Sequence, residues 1–429
     1  MAVFDLGTSQ YNKLFNEYIL KGMNVMFVGN TIVYDRFKTD TESCKGKYGV
    51  MKLATAASKS ARPSSSSTFP TARQGSYAEF LFYMKRGMYA SLQFDNLAIV
   101  CGKDDGAFRD IVQTEIENQA IYIGNVLNRQ FWGDGSGRLA VLDAASANST
   151  TVTIDSAIFG LDSNDYTEAS SYLEVGQYID IYSSAGALLS EENEISSITS
   201  DSDGTATLVM GTAVTAADNS LIFNHDTYAA TEAAGTGVPQ GLHSIISTAN
   251  PYIGITASSA FQNINRSNYP YAQAQAFTMG SSVTAVQSKK VIEAVQKAEK
   301  YGRISVMLTN GPIWRCWQEI LLADRTLPNE TVAWGGTEGL KFYGGRKGSI
   351  PIVMDDDCPD QRIYGIDDSA IKVSAPTKSG MEWVPGDNGI LTRVQGKDEL
   401  VANLRWYYNL TVKQPKSLFV ISNVKHLES

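Results

Sequence analysis

The chain has 429 residues, a net charge of −9 at neutral pH and only 19% charged residues. Its length suffices for a large core in two or three domains, and its low charge with abundant small residues excludes a disordered chain. The N-terminus lacks the basic and apolar regions of a signal peptide, and no apolar run approaches the roughly 18 residues of a membrane span. The cysteines form no CxxC pair, which indicates reduced thiols and excludes a zinc knuckle; they are Cys44, Cys101, Cys316 and Cys358.

The charge is distributed unevenly along the chain. Between Leu139 and Asn265 there are 15 Asp and Glu and no Lys or Arg, while the rest of the chain holds 36 basic and 30 acidic residues. A composition break of this kind predicts a separately folded insertion. Because like charges repel, we expect this acidic module to face away from any polyanion.

The first hundred residues predict an arm and a hairpin. Residues 1–40 are predicted to form an extended N-terminal arm with one short helix. Residues 41–100 predict a β-hairpin whose outgoing strand starts at Tyr48 and whose return strand ends at Phe94. The Ser- and Pro-rich tip of about 15 residues has too few apolar side chains for a core of its own. We expect the hairpin to project from the body unless another chain covers it.

A long helix is predicted in the segment 101–141. Apolar residues recur at helical spacing on one face: Phe108, Ile111, Val112, Ile116, Ala120, Ile123, Leu127 and Phe131. The pattern predicts about 25 residues of helix with a length of roughly 38 Å. We interpret this helix as a scaffold on which other elements are laid.

Two glycine-rich runs, FWGDGSG at 131–137 and GTGVPQG at 235–241, raise the question of a nucleotide site. A phosphate loop needs a strand before its glycines and a helix after them, so that the helix N-terminus points at the anion. Here the first run comes after a helix, and no Lys-Ser or Lys-Thr pair follows. We therefore interpret the runs as a helix stop and turns.

The rest of the chain predicts three further units. Residues 142–233 predict about five short strands that close into a small β-barrel, with surface turns where DSNDYTE and SDSDG lack the ligand pattern of a calcium loop. Residues 234–385 predict a mixed α/β unit, with one helix capped by Ser281 or Ser282 and another with Pro312 in its first turn. Residues 386–429 predict two long strands beside the long helix.

The sequence offers few candidate catalytic residues. His225, His243 and His426 are not paired at metal-ligand spacing, and no G-x-S-x-G motif nominates a nucleophile. The run Asp355–Asp357 points to alternating faces of a strand, so we interpret it as a solvated strand end. The run YGGRKGS, at 343–349, is interpreted as an exposed hairpin turn. No enzymatic activity, catalytic residue, cofactor or metal site is predicted.

The chain resembles the tailed-bacteriophage major capsid proteins of the Hong Kong 97 type in an ordered set of features. These are an arm, a long basic hairpin, a helix ending in FWGDGSG, the run GTGVPQGLHSI, a helix–strand–helix unit and the closing strands RWYYNLTVKQPKSLFVISNV. In that family a glycine-rich turn after the spine helix runs on to a Pro-Gln-Gly segment. This chain has both halves, with the barrel between them, and the resemblance covers nearly all of the chain outside the barrel.

The resemblance implies an α+β, HK97-like capsid fold with an inserted small β-barrel. Residues 1–40 would be the N-terminal arm, 41–100 the extended loop and 101–141 the peripheral domain with its spine helix. Residues 142–233 would be the inserted acidic barrel and 234–385 the axial domain. Residues 386–429 would be the C-terminal strands of the peripheral domain.

The resemblance also implies a function and partners. The chain would be a major capsid protein that self-assembles into hexamers and pentamers of an icosahedral head around double-stranded DNA, assembled in the host cytoplasm and located in the virion. Its partners would be further copies of itself, a separate scaffolding protein, a portal protein, a decoration protein and packaged DNA contacted without base readout, with no membrane.

The implied site residues fall into two groups. Contacts between subunits are expected at the hairpin, from Lys52, Lys59, Arg62, Phe69 and Arg73. The hinge of the insertion is expected at the glycine turn, formed by Gly133, Gly135, Gly137, Gly235, Gly237, Pro239 and Gly241. Some relatives crosslink a lysine of the extended loop, but no matching Asn or Glu is singled out for Lys52 or Lys59, so no crosslink is predicted.

Two alternatives remain open. An encapsulin-type shell of a cellular nanocompartment would share the fold and enclose protein cargo, although the extra barrel and the chain length argue against it. A β-rich hydrolase or glycan-binding protein would be built around the acidic barrel. Activity in the isolated barrel would favour that alternative, whereas symmetric shells under the electron microscope would favour the capsid.

Overall fold

The computed structural model describes residues 33, 36–56, 63, 67–69, 76–95, 107–155, 169–201, 204–230, 237–280, 288–323, 341–345, 348–377, 380–385 and 391–424. Within these ranges the chain has a mixed α+β architecture, with two six-stranded sheets, a three-stranded sheet, a short two-stranded sheet and a closed barrel. None of the helices in these ranges is long and apolar enough to cross a membrane.

The strands are, in chain order, β1 (Lys38–Asp40), β2 (Cys44–Lys45), β3 (Tyr48–Ala56), β4 (Ser76–Tyr83), β5 (Lys85–Asp95), β6 (Arg138–Leu142), β7 (Ser146–Asp155), β8 (Tyr178–Tyr182), β9 (Leu188–Ser200), β10 (Ala206–Ala216), β11 (Leu221–Asn224), β12 (Tyr252–Ile253), β13 (Thr256–Ala257), β14 (Gln275–Thr278), β15 (Val306–Thr309), β16 (Lys341–Gly345), β17 (Gly348–Met354), β18 (Ile363–Ile366), β19 (Ile371–Ser374), β20 (Glu382–Trp383), β21 (Leu391–Arg393), β22 (Glu399–Val412) and β23 (Phe419–Ser422). The α-helices are α1 (Ala107–Trp132), α2 (Leu242–Ile245), α3 (Ser288–Ala298) and α4 (Gly311–Ala323). Short 3-10 helices cover Ala169–Tyr172, Pro270–Ala272 and Pro415–Ser417.

The first six-stranded sheet is built around β22. This strand pairs with β5, β19, β20 and β21, and β1 joins β19 in parallel. The antiparallel pairing of β5 with β22 runs from Lys85 opposite Tyr408 to Asp95 opposite Glu399. Alternate residues of β22 are buried because successive side chains of a strand point to opposite faces, and these are Ala402, Leu404, Trp406 and Tyr408.

Helix α1 packs its apolar face against this sheet. It has 26 residues, which corresponds to about 39 Å. The described part of the predicted face, Ala120, Ile123, Leu127 and Phe131, is at most 1% exposed. The ring of Phe131 stacks on that of Tyr408, with centroids 5.5 Å apart. The periodicity therefore identified both the helix and the face that it buries.

Strands β2, β3 and β4 form the predicted hairpin. Only Met84 separates β4 from β5, so the return strand continues directly into the first sheet. The inner face of the hairpin packs on the body, since Leu53 is 6% exposed and belongs to the main core. The outer face keeps Tyr48 and Val50 exposed. The expectation of a hairpin that stands clear of the body is therefore wrong for the inner face, because Leu53 finds apolar partners in the same chain.

Strands β6 to β11 close into a barrel with the order β10-β7-β6-β11-β8-β9. Its interior is filled by apolar side chains, among them Ile154, Ile179, Ile181, Leu208 and Ile222. The sequence predicted about five strands within 142–233, whereas the structure has six and β6 begins at Arg138. Five residues carry too short a pattern to indicate which sheet they join, so β6 was assigned to the wrong side of the boundary.

The second six-stranded sheet has the order β14-β23-β18-β15-β17-β16. Helices α3 and α4 pack on it through a separate core that includes Val291, Val295, Ile313 and Trp317. The sequence placed both strands of the tail beside the long helix. Strand β23 instead lies between β14 and β18 of this second sheet, because the 3-10 helix that Pro415 opens turns the chain after β22.

Candidate assembly surfaces and glycine junction

The glycine-rich segment after α1 is a tight polar turn. Its carboxylate, Asp134, is 7% exposed, and its Oδ1 accepts hydrogen bonds from the backbone N–H of Ser136 at 2.8 Å and from the Ser136 hydroxyl at 2.5 Å. Such an Asx turn is typical of Asp followed by residues that leave a helix. Gly135 and Gly137 have φ angles of +90° and +77°, a region that favours glycine. The residues of the turn therefore determine its conformation.

The structure brings the two predicted glycine segments into contact. A Cβ atom on Gly241 would lie 2.5 Å from both the backbone N and the backbone O of Gly133, and a Cβ on Gly137 would lie 2.9 Å from Cγ2 of Val238. The backbones of 133–137 and 237–241 thus lie side by side, and we call this pair of segments the glycine junction. Pro239 is buried in it. Gly237 has a φ of +73°. Gly235 lies outside the described residues.

A buried asparagine ties the glycine junction to the first sheet. Asn409 of β22 is 1% exposed, and its Oδ1 accepts a hydrogen bond from the backbone N–H of Gln240 at 3.3 Å. Its Nδ2 donates to the backbone carbonyl of Tyr83, at the end of β4, at 3.0 Å. Asn409 was not among the residues predicted from the sequence, although it stands out as a polar residue inside the apolar run WYYNLTV.

A buried arginine holds the segment that follows the glycine junction. Arg266 is fully buried, and its guanidinium donates to four backbone carbonyls, those of Ser244, Ile245, Ser247 and Ala249, at 2.7–3.2 Å. Its charged end also lies 3.6 Å from the ring centroid of Phe261. Burial lowers the pKa of Arg266 to about 9. The sequence signal was that Arg266 is the first basic residue after Arg138.

The three consecutive aspartates are not a solvated strand end. Asp355 is 2% exposed, and Nδ2 of Asn128 on α1 donates to its Oδ1 at 3.1 Å and to Oδ2 of Asp357 at 2.5 Å. Burial raises the pKa of both carboxyls, that of Asp357 to about 6. The prediction was wrong for these two residues because the loop after β17 lies against the end of α1. Asp356 alone is exposed.

The histidines of the described chain serve as structural groups. Nδ1 of His225 lies 2.9 Å from Oδ1 of Asp180, and this hydrogen bond raises the pKa of His225. Each carboxylate oxygen of Asp180 also accepts a hydrogen bond from a backbone N–H group. Nδ1 of His243 and the Tyr364 hydroxyl lie 2.8 Å apart in a hydrogen bond, and burial lowers the pKa of His243 to about 3. Within the described ranges no three His, Cys, Asp or Glu residues are grouped as a metal site.

The residues expected at the hairpin are only partly described. Phe69 is 94% exposed, and Lys52 stands opposite Glu79 in the pairing of β3 with β4. Lys59, Arg62 and Arg73 lie outside the described residues, as does the turn with Arg346 and Lys347.

An aromatic pair marks the outer face of the first sheet. The hydroxyl groups of Tyr89 on β5 and Tyr407 on β22 lie 3.3 Å apart, and their rings meet edge to face with centroids at 6.2 Å. Tyr89 is 55% exposed, and Arg405 lies 5.7 Å from the Tyr407 ring centroid. Tyr48 and Val50 of β3 are also exposed, and we call Tyr48, Val50 and Tyr89, with the strands β3, β4 and β5 that carry them, the exposed ribbon.

No family model and no curated protein matches the chain. Among solved structures it is similar to the capsid asymmetric unit of cyanophage A-1(L), at 13% identity over 96% of this chain and 95% of that chain, with a TM-score of 0.49. It is also similar to the capsid of a native GTA particle, at 7% identity over 92% and 90% of the two chains, with a TM-score of 0.45. The holo-SrpI encapsulin complex of Synechococcus elongatus PCC 7942 matches only 36% of this chain and 54% of that chain, at 14% identity and a TM-score of 0.26.

Proposed function

We propose that the chain is a bacteriophage major capsid protein that self-assembles into the hexamers and pentamers of an icosahedral head around double-stranded DNA. The observation that carries this proposal is the exposed ribbon. A single chain leaves Tyr48 and Val50 about half exposed on one face of β3, and it leaves Tyr89 about half exposed on β5. Contiguous exposed apolar groups of this kind mark surfaces for association.

The layout of elements supports an HK97-like fold. In this proposal the hairpin β3–β4 is the extended loop within 41–100, and α1 with β5 and β22 forms the peripheral domain with its spine helix. The second six-stranded sheet with α3 and α4 is the main part of the axial domain within 234–385. Residues 1–40 and 386–429 would supply the arm and the closing strands, although β23 pairs within the second sheet.

The barrel has the character of an insertion into this fold. Its strands leave from and return to the glycine junction, where the two chain segments touch. An insertion whose ends meet costs the host domain little. Its acidic side chains would be repelled by packaged DNA, so we place it on the outer face of the head, where a decoration protein could bind.

The remaining parts of the proposal follow from the same role. The chain would be a structural, non-enzymatic component of the virion, without a cofactor, and it would be assembled in the host cytoplasm with a separate scaffolding protein and a portal protein. Lys52, Phe69 and the basic residues of the hairpin tip would contact the neighbouring subunit. The glycine junction would be the hinge of the insertion.

Expression of the chain together with the genes that neighbour it would test the function. We expect analytical ultracentrifugation to find capsomers or larger assemblies, and negative-stain microscopy to find closed symmetric shells that hold nuclease-protected DNA when packaging components are present. Shells that hold protein and no DNA would instead identify a nanocompartment. A chain that stays monomeric at every concentration, with its scaffold present, would contradict the proposal.

A further inference from the structure

Helix α3 and its surroundings carry a concentrated basic surface. Its members are Lys289, Lys290, Lys297, Lys300, Arg303 and Lys416, and we call them the α3 basic surface. Lys416 comes from the 3-10 helix before β23 and meets the end of α3 from a neighbouring element. Lys297 keeps 55% of its side chain exposed, so the charges face solvent.

In the described part of the chain, one exposed acid lies on α3 among these basic groups. The exposed acid of α3 is Glu293, which pairs with Lys297 at 2.6 Å and with Lys290 at 3.8 Å. The other acid of the segment, Glu299, is 5% exposed and does not face solvent. Asp367, beside Gly302, is also buried, at 5% exposure. Among the described residues of α3, the turn after it and Lys416, six basic groups are therefore accompanied by one exposed carboxylate, in a chain whose overall charge is negative.

Aromatic rings hold these ammonium groups in place. Nζ of Lys416 lies 4.7 Å from the ring centroid of Tyr271 and 5.0 Å from that of Tyr301. Nζ of Lys300 lies 5.8 Å from the Tyr301 ring, and Nζ of Lys297 lies 5.2 Å from the Phe277 ring. Cation–π contacts restrict these long side chains, so less conformational entropy remains to be lost when an anion binds. The basic surface is therefore partly pre-organised.

The chemistry of the surface fits a repeating polyanion. From Lys289 to Lys297 the helix spans about 12 Å, a length over which duplex DNA carries roughly seven phosphate charges. Ammonium groups act as point charges and lack the planar geometry that reads base edges. Because Lys416 already lies against Tyr271 and Tyr301, these rings are not free platforms for the stacking of unpaired bases, which favours a duplex over a single strand.

We propose that the α3 basic surface binds the phosphate backbone of double-stranded DNA without sequence preference. The choice of duplex DNA as the polyanion rests on the proposed capsid function, and it assigns the contact with packaged DNA to one face of the second sheet. The acidic barrel of another copy of the chain is the alternative partner, because its charge also complements this surface. DNA binding and capsomer formation, measured on the same variants, distinguish the two partners.

Binding of the full-length chain to a labelled mixed-sequence duplex would test the proposal, with salt varied between about 50 and about 200 mM. The variant carries Lys300→Gln, Arg303→Gln and Lys416→Gln. Its matched control carries Lys38→Gln, Lys47→Gln and Lys397→Gln, three exposed lysines elsewhere with the same total charge change. Each lost phosphate contact should lower the slope of log K against log salt by about 0.9, so we expect a loss of about two to three in the variant and little change in the control. The loss should be equal for AT-rich and GC-rich duplexes.

Several outcomes would overturn the proposal. Equal slopes for the variant and the control would show that the surface contributes only through net charge. Unchanged DNA binding combined with failure of the variant to form capsomers would assign the surface to another copy of the chain. A wild-type chain that never forms shells, but whose DNA affinity still depends on these residues, would contradict the capsid function and leave the phosphate surface standing. Thermal melting of each variant verifies that it is folded.

Discussion

Arg266 is a buried cation whose hydrogen-bond acceptors are all backbone carbonyls. Four carbonyl groups from α2 and the turn after it converge on one guanidinium, which also lies over the ring of Phe261. These carbonyl groups belong to neither a strand nor a longer helix, in which backbone N–H groups would donate to them. The Arg266 guanidinium supplies the hydrogen-bond donors that the backbone lacks here. The residue therefore fixes the course of the chain from the glycine junction into the second sheet.

We predict that Arg266→Met lowers the free energy of unfolding by about 3 to 4 kcal/mol, because it leaves several buried carbonyls without donors. Arg266→Lys should recover only part of this loss, since an ammonium cannot reach all four carbonyls or lie flat on Phe261. Urea unfolding followed by circular dichroism measures both. Arg393→Met, at an exposed position, is the matched control, and an equal loss there would contradict the structural role.

Asp355 and Asp357 share one amide donor, which makes the contact between α1 and the loop after β17 depend on pH. Burial raises the pKa of Asp357 to about 6, so the folded protein binds its proton more tightly than the unfolded chain does. A raised carboxyl pKa adds stability at low pH, and this stability is lost as pH rises from the unfolded value near 4 through the folded value near 6. Asp355 and Asp356 face the same carboxyl and act in the same direction, while Arg129 opposes them.

We predict that Asp357→Asn removes this pH dependence. The difference in unfolding free energy between the variant and the wild type should favour the variant by about 2 kcal/mol at neutral pH, and should shrink towards zero near pH 4. Urea unfolding at a series of pH values measures the difference. Asp218→Asn, at an exposed position of the barrel, is the matched control, and parallel slopes in the two variants would count against the mechanism.

At the scale of elements, strand β3 of the exposed ribbon has one face that packs within the chain and one face that is exposed. Leu53 and Val50 lie on opposite faces of β3, and only Leu53 reaches the core. Strand β3 therefore carries apolar side chains on both faces, and a single chain buries only one of these faces. The hairpin is therefore suited to bridge two subunits.

We predict that Val50→Glu leaves the single chain folded but blocks assembly. Because Val50 is 47% exposed, its replacement should change the free energy of unfolding by no more than about 0.5 kcal/mol. Capsomers measured by sedimentation should fall at least about tenfold, a change that corresponds to some 1.4 kcal/mol of association free energy. Val50→Thr keeps the β-branched shape and serves as the conservative control. Assembly of Val50→Glu at the wild-type level would mean that this face is not an interface.

At the scale of the whole molecule, the barrel is closed on itself and connected at one place. Its core is made of its own strands, and it contacts the body around Tyr182, Tyr228 and Ile255 next to the glycine junction, and at Tyr172, whose ring centroid lies 4.9 Å from the Arg129 guanidinium of α1. A closed barrel has no free edge through which it could pair with the sheets of the body. The body therefore needs little from the barrel in order to fold.

We predict that deletion of residues 138–234, which joins Gly137 to Gly235, preserves the body and weakens the particle or its decoration. Helix α1 and both six-stranded sheets should keep their hydrogen-exchange protection, apart from a modest loss around Tyr252 and Ile255, which the deletion uncovers. Microscopy and heating of the assembled particles measure the effect on the shell. Loss of protection throughout the body would mean that the barrel is part of the core, and a barrel that lines the interior against DNA would contradict the charge argument.

The sequence by itself determined the elements whose pattern is local. Helix α1 was predictable because its buried face repeats at helical spacing, and β3 and β4 were predictable because two β-rich runs flank a turn-rich tip. The break in charge at Leu139 and Asn265 marked the barrel segment, and the order of these features carried the resemblance to capsid proteins. Each of these signals is contained within one stretch of chain.

Only the tertiary structure decided which elements meet. The barrel order β10-β7-β6-β11-β8-β9, the place of β23 in the second sheet and the burial of Asp355 against Asn128 all join residues far apart in sequence. Local periodicity reports which face of an element is apolar but not which partner covers it, since that choice depends on packing across the whole chain. For the same reason the structural roles of Arg266 and Asn409 could not be derived from the sequence, although both residues stand out in it, because a polar side chain becomes structural only where the fold surrounds it with groups that need its hydrogen bonds.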